Sequence, residues 1–177
     1  DHHFALTTIF EIVDVASRAD LKSDLLKDLE RHRSQFQAYR GNPAISEGAL
    51  DAVLARIEHA FNGLNALAGK AGSVLSSNEF LMAIRSRISI PGGTCEFDLP
   101  DFFFWLNQAT DQRARSFNDW LATLRPLCDA IAELLWITRQ HGKPRQEIAR
   151  QGVYHITFER DTPIQLVRIA LPVNAGL

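Results

Sequence analysis

Apolar residues recur at steps of three and four along most of this chain, the spacing that lines one face of an α-helix. Residues His3 to Ala16 place Phe4, Leu6, Ile9, Phe10, Ile12 and Val13 in that rhythm. Asp20 stands where an N-cap belongs, Leu21, Leu25, Leu29, Phe36 and Tyr39 follow, and Gly41 and Pro43 stop a second helix. Its polar face carries opposite charges at i,i+3, such as Asp24 with Lys27 and Asp28 with Arg31, as a solvated face does. Ser46 caps a third helix, with Leu50, Val53, Leu54, Ile57, Phe61 and Leu64 on its stripe. Gly63, Gly69 and Gly72 predict a loop up to Ser77, and a fourth helix runs from Ser77 or Asn78 to about Ile88. A turn-rich connector then leads to a helix start at Asp98-Leu99-Pro100-Asp101, with Asp98 as an acidic cap. Phe102 to Leu106 are apolar on every side, which predicts a buried helix. Phe117, Trp120, Leu121, Leu124, Leu127, Cys128, Ile131, Leu134, Leu135 and Thr138 hold one stripe across Pro126. That register predicts a single kinked helix with Cys128 as a small core residue.

Beyond Gly142 the period changes to two. Tyr154, Ile156 and Phe158 alternate with Val153, His155 and Thr157; Asp161-Thr162-Pro163 reads as a turn and Ile164 to Leu171 as a returning strand. The expected fold class is therefore α+β and predominantly α, with a helical domain over residues 1–142 followed by a β-strand module over 143–177. A lone hairpin is marginal in water and leaves an open edge, so further strands are expected from outside these residues, in a longer chain or a second subunit.

The length, 177 residues, is enough for one cored domain without disulfide or metal staples. Nineteen Lys and Arg against 21 Asp and Glu argue against general nucleic-acid binding. Two cysteines, Cys95 and Cys128, make no framework and suit a reducing, cytoplasmic setting. No apolar run reaches the length of a membrane span, so direct membrane insertion is not expected. The chain opens on Asp1 rather than Met, and a preceding segment is expected.

Catalytic chemistry finds little support. Gly63 to Lys70 resembles a phosphate-binding loop, but its spacing is one residue too long and Ala71 stands where Ser or Thr would hold magnesium. The histidines are single or adjacent, with no H-E-x-x-H and no C-x-x-C, so no metal or cofactor is expected. Cys95 follows a Gly-Gly turn and precedes a helix start, where nearby N–H groups stabilise a thiolate. It is the one candidate nucleophile, against the simpler reading of a small residue under a turn. The remaining signal is basic: Arg18 and Lys22 flank the second helix start, Arg85 and Arg87 end the fourth, and Arg139, Lys143, Arg145 and Arg150 surround Gly142. Cations favour helix C-termini for structural reasons; the functional alternative is a patch for an acidic or carboxylate-bearing peptide.

The segment Leu25 to Arg31, and above all Ile84-Arg85-Ser86-Arg87-Ile88-Ser89-Ile90-Pro91-Gly92-Gly93-Thr94-Cys95-Glu96-Phe97-Asp98-Leu99-Pro100, resembles the ZapD family of bacterial cell-division factors, formerly described as YacF-type. The resemblance runs through essentially the whole chain and is strongest over residues 18–41 and 80–106. It implies a non-enzymatic homodimer in the cytoplasm, recruited to mid-cell by the tubulin-like GTPase FtsZ. Such a protein binds the C-terminal tail of FtsZ and cross-links protofilaments into bundles that support the Z-ring. Bivalence would turn weak tail contacts into avidity. Arg18 matches a family arginine implicated in tail binding, with Lys22 beside it; Arg85, Arg87 and Arg145 complete the expected partner-binding set. Family members also carry a helical segment before the position of Asp1 and further strands after that of Leu177. The alternative kept beside this reading is an enzyme or redox-active protein that depends on Cys95.

Overall fold

The computed structural model describes residues 2–141, 145–158, 164 and 166–171. Among them the chain forms helices α1 (His2–Ala16), α2 (Leu21–Gln37), α3 (Glu47–Ala66), α4 (Ser73–Ser76), α5 (Glu79–Arg87), α6 (Pro100–Leu106) and α7 (Thr110–His141). Two compact units are distinguished, Asp1–Glu133 and Leu134–Leu177.

The first unit is built on apolar faces that meet one another. α1 buries Leu6, Ile9, Phe10, Val13 and Ala16, and α3 buries Leu50, Ile57, Ala60 and Leu64, close to the rows read from the sequence. α2 packs along α3, and Arg40 closes the connection between them by pairing with Glu47 (3.3 Å) and Asp51 (2.7 Å). The Arg40 guanidinium, hydrogen-bonded to Asp51 first of all, is held above its ordinary pKa. The caps behave unequally. Ser46 accepts from Ala49 N–H at 3.4 Å and Asn78 from Leu81 N–H at 3.0 Å, whereas Asp20 makes no cap bond and reaches Arg18 instead, at 3.5 Å.

Phe80, Phe102, Trp105, Phe117 and Trp120, from α5, α6 and α7, form an aromatic cluster with centroids 5.3–6.5 Å apart. His2 from α1 meets the edge of Trp105 at 5.5 Å. Arg113 ties these pieces together: it donates to the Leu106 and Gln108 carbonyls, both at 2.6 Å, and to His2 Nε2 at 3.0 Å. Burial, and then the nearby guanidinium, hold the His2 imidazole below its usual pKa of 6.5.

Several expectations are corrected. The predicted loop before Ser77 contains the short helix α4. Leu99, not Asp98, is the N-cap of α6, because the Asp98 carboxylate is engaged by Arg87 at 3.1 Å. α6 is buried on one face: Phe102 and Trp105 are withdrawn, while Phe103 and Phe104 stand 47 % and 69 % exposed. α7 does run through Pro126 as one helix. Its buried row, however, is Leu124, Leu127, Ala130, Glu133 and Ile137, and Cys128 falls on the exposed side. A helical repeat of 3.6 lets two neighbouring rows satisfy the same spacing, and only packing chooses between them.

The β-strand module is the largest correction. Among the described residues beyond α7 there is no strand and no sheet, only an isolated bridge between Arg150 and Val153. Gln151 (φ 54°) and Gly152 (φ 76°) form a tight turn there, closed by the Val153 N–H on the Arg150 carbonyl at 3.1 Å. No ladder continues from it. Two-residue alternation describes a surface that could be half-buried, and strand formation further requires a neighbouring backbone that these residues do not supply. The expected turn at Asp161-Thr162-Pro163, Gly142 and Lys143 lie outside the described residues.

Candidate partner-binding surface

The string that carries the resemblance, residues 84–100, is a compact turn structure held at both ends. Ile84 and Leu99 anchor it in the core at 0 % and 7 % exposure. Ile90-Pro91-Gly92-Gly93 is a tight turn with Gly92 at φ 74° and the Gly93 N–H on the Ile90 carbonyl at 2.9 Å, the geometry that favours Pro and Gly in its centre. A Cβ on Gly93 would lie 2.8 Å from the Arg87 carbonyl oxygen and 2.9 Å from Ile90 Cβ, so no larger residue fits. The Arg87–Asp98 pair closes the loop, and Arg85 pairs with Asp14 of α1.

Cys95 lies inside this loop. Its Sγ donates to Asp98 Oδ2 at 3.4 Å, and Asp98 is also the partner of Arg87. Among the described residues the side-chain partner of the thiol is a carboxylate, Asp98, rather than a histidine. No group of three or more His, Cys, Asp or Glu among the described residues could hold a metal ion.

The five cations singled out by sequence have different settings. Lys22 donates to the Leu67 carbonyl at 2.5 Å and the Asn65 carbonyl at 3.4 Å, which places its charge on the C-terminal end of α3. Arg85 and Arg87 brace the loop just described. Arg145, in the second unit, reaches Glu147 (3.0 Å) and the Tyr154 hydroxyl (3.1 Å). Arg18, between α1 and α2, is 66 % exposed, and its ion pair with Asp20 is long at 3.5 Å. Exposed pairs of this kind are worth about 0–1 kcal/mol, so a partner carboxylate displaces such a contact at little cost.

The structure adds one arginine that was not singled out, Arg168, and sets it in the same cavity lining as Arg139 of the basic group around Gly142. Arg139, near the end of α7, and Arg168 line a cavity of about 510 Å³ together with Leu166, Val167 and Ile169, all within the second unit. Arg139 was visible as one of four basic residues around Gly142. Arg168 is the single charge within an apolar run, Ile164 to Leu171, which was read only as a returning strand.

Comparison with known proteins is consistent along the whole chain. The family model for ZapD, a cell division protein, matches residues 1–177. The cell division protein ZapD of Azoarcus sp. (strain BH72) is 46 % identical over 172 residues, 97 % of this chain and 68 % of that protein. The ZapD of Aromatoleum aromaticum is 48 % identical over 158 residues, 89 % of this chain and 62 % of its own length. That of Ralstonia pickettii (strain 12J) is 50 % identical over 153 residues, covering 86 % and 61 %. This chain therefore spans about two thirds of the length of the relatives it matches.

Proposed function

This chain belongs to the ZapD family of cell division proteins, and from that premise we propose that it binds the C-terminal tail of FtsZ. In this reading it acts in the cytoplasm as a homodimer, cross-links FtsZ protofilaments into bundles, and is recruited to mid-cell by FtsZ itself. The observation that carries the reading is the state of Arg18: a largely exposed guanidinium between two helices, loosely held by Asp20 and open to exchange for a partner carboxylate. Arg145 is a second contact of the same kind, while Lys22, Arg85 and Arg87 serve chiefly to hold the surface in shape. Two tail sites per dimer, set against the many tails of a filament, would give avidity from individually weak contacts. No helix among the described residues is long and apolar enough to cross a membrane, in keeping with recruitment through a protein partner.

Co-sedimentation with FtsZ and GTP tests this directly. Bundles are expected to pellet with intact FtsZ and not with FtsZ lacking its C-terminal tail. Equal pelleting of both forms would remove the tail from the mechanism. Arg18→Glu is expected to weaken tail binding roughly tenfold, the effect of about 1.4 kcal/mol. Its circular dichroism should stay unchanged, because the side chain is not part of the core.

A further inference from the structure

α6 turns two of its aromatic rings inward and two outward. Phe102 and Trp105 join the cluster with Phe80, Phe117 and Trp120, whereas Phe103 and Phe104 stand 47 % and 69 % exposed. Phe97, in the turn that feeds α6, is 90 % exposed. We infer that this face docks a peptide segment in which Lys or Arg stands beside an aliphatic or aromatic side chain. The inference goes beyond the tail-binding reading and does not depend on it. The outward rings sit on a fixed backbone. Leu99 is buried, the Phe103 N–H bonds the Leu99 carbonyl at 3.0 Å, and the Asn107 amide donates to the Phe103 carbonyl at 2.8 Å. A surface held in this way loses little freedom when a ligand arrives. Taking 150–250 Å² for a whole aromatic side chain, the three exposed phenylalanines offer roughly 300–500 Å² of apolar surface, a size that is often functional on a monomer.

Charge selects the occupant. Residues 95–112 contain Glu96, Asp98, Asp101 and Asp111 and no Lys or Arg. Asp98 faces Arg87 and Asp111 faces Arg115 of this chain. Glu96 directly precedes Phe97, and Asp101 lies one turn before Phe104 on α6; both are exposed. The first unit carries 13 Lys and Arg against 18 Asp and Glu, so its field attracts a cationic segment. A guanidinium or ammonium drawn there is attracted by the face of a phenyl ring as well as by a carboxylate. An acidic peptide, a phosphate backbone or a second copy of the same face would each bring like charge against Glu96 and Asp101.

The test is fluorescence anisotropy with the full chain and a short fluorescein-labelled synthetic peptide of Arg, Leu and Ser. Phe103→Ser with Phe104→Ser is expected to weaken binding roughly tenfold or more, and Asp101→Lys about fivefold. Both changes fall on exposed side chains, so circular dichroism should stay that of the wild type. Salt raised from about 50 to 300 mM should weaken the peptide too. Peptides with Glu for Arg, or Ser for Leu, should bind weakly and no longer distinguish the variants. Wild-type affinity in both folded variants overturns the assignment, as does a wild-type chain that fails to bind the Arg-Leu peptide at millimolar concentration. An FtsZ tail peptide is expected not to displace the probe; displacement would merge this face with the tail site and overturn it as a separate one. A dimer seen by sedimentation velocity that the double Phe variant abolishes would assign the face to self-association and overturn the inference. A chain extended to the length of its relatives should bind the probe equally; loss there would mean that further residues of its own cover the face, and would overturn the assignment as well.

Discussion

In residues 1–133, Leu6, Leu29, Ile57, Leu64, Leu81 and Ile84 are each fully withdrawn from water, whereas in the second unit Ile148, Val167, Ile169 and Leu171 stand 58–84 % exposed. The residue types are the same. What differs is whether the backbone beneath them is complete on its own. A helix satisfies its own N–H and C=O groups and so can offer an apolar face to any neighbour, as the described helices of the first unit do. An extended segment has to find a neighbour for its backbone before its side chains can be buried at all. Charge separates the regions too: 13 Lys and Arg against 18 Asp and Glu in the first unit, six against three in the second. The first region carries the larger buried apolar core, and the described part of the second after α7 leaves its apolar side chains exposed.

The contrast is broken most sharply by truncating one apolar side chain in each region. Leu81→Ala, at a position with no exposure, is expected to cost about 2–5 kcal/mol in denaturant unfolding, the range for a cavity in a packed core. Ile169→Ala should cost less than about 0.5 kcal/mol. Comparable losses at both sites would mean that the second region buries Ile169 in solution.

Gly93→Ala probes the shared loop rather than the core. The added methyl meets the Arg87 carbonyl oxygen, which is backbone and cannot swing aside, so a loss of about 1–3 kcal/mol is expected. A smaller effect comes from His2. Its folded pKa is below 6.5, so the unfolded chain takes up the proton more readily. Stability is therefore full above 6.5 and declines as pH falls through 6.5 toward the lowered folded value. Thermal midpoints followed from about pH 7.5 to 5 should show this decline, and His2→Gln should flatten it. The smallest effect is expected from Cys95→Ser, which keeps a donor for Asp98: under about 0.5 kcal/mol in stability and no change in FtsZ co-sedimentation. A loss of function there, with the fold intact, would revive the cysteine-dependent alternative.

The elements of the first unit were legible in sequence because their signals are local. Ser46 and Asn78 cap the helices they were expected to precede or open, and the stripes of α1 and α3 bury nearly the residues read from their spacing. The long helix across Pro126 was legible for the same reason, since a register kept over many turns outweighs one missing hydrogen bond. The division family, too, was readable from the string at residues 84–100, whose glycines, proline and ion pairs each answer a geometric demand of one loop.

Tertiary structure decided what spacing leaves degenerate. Cys128 and Ala130 both fit a helical row, and packing buried Ala130. Asp98 suited a cap, yet Arg87 claimed its carboxylate and left Leu99 in that place. Lys22 looked available until the end of α3 was seen to accept its ammonium. Alternation beyond residue 150 described how those side chains could face, but strand formation depends on a second backbone in register. Local sequence sets the periodicity and chemistry of a segment; which row is buried and which charge stays free depends on the surfaces brought against it, and those come from residues far away in the chain.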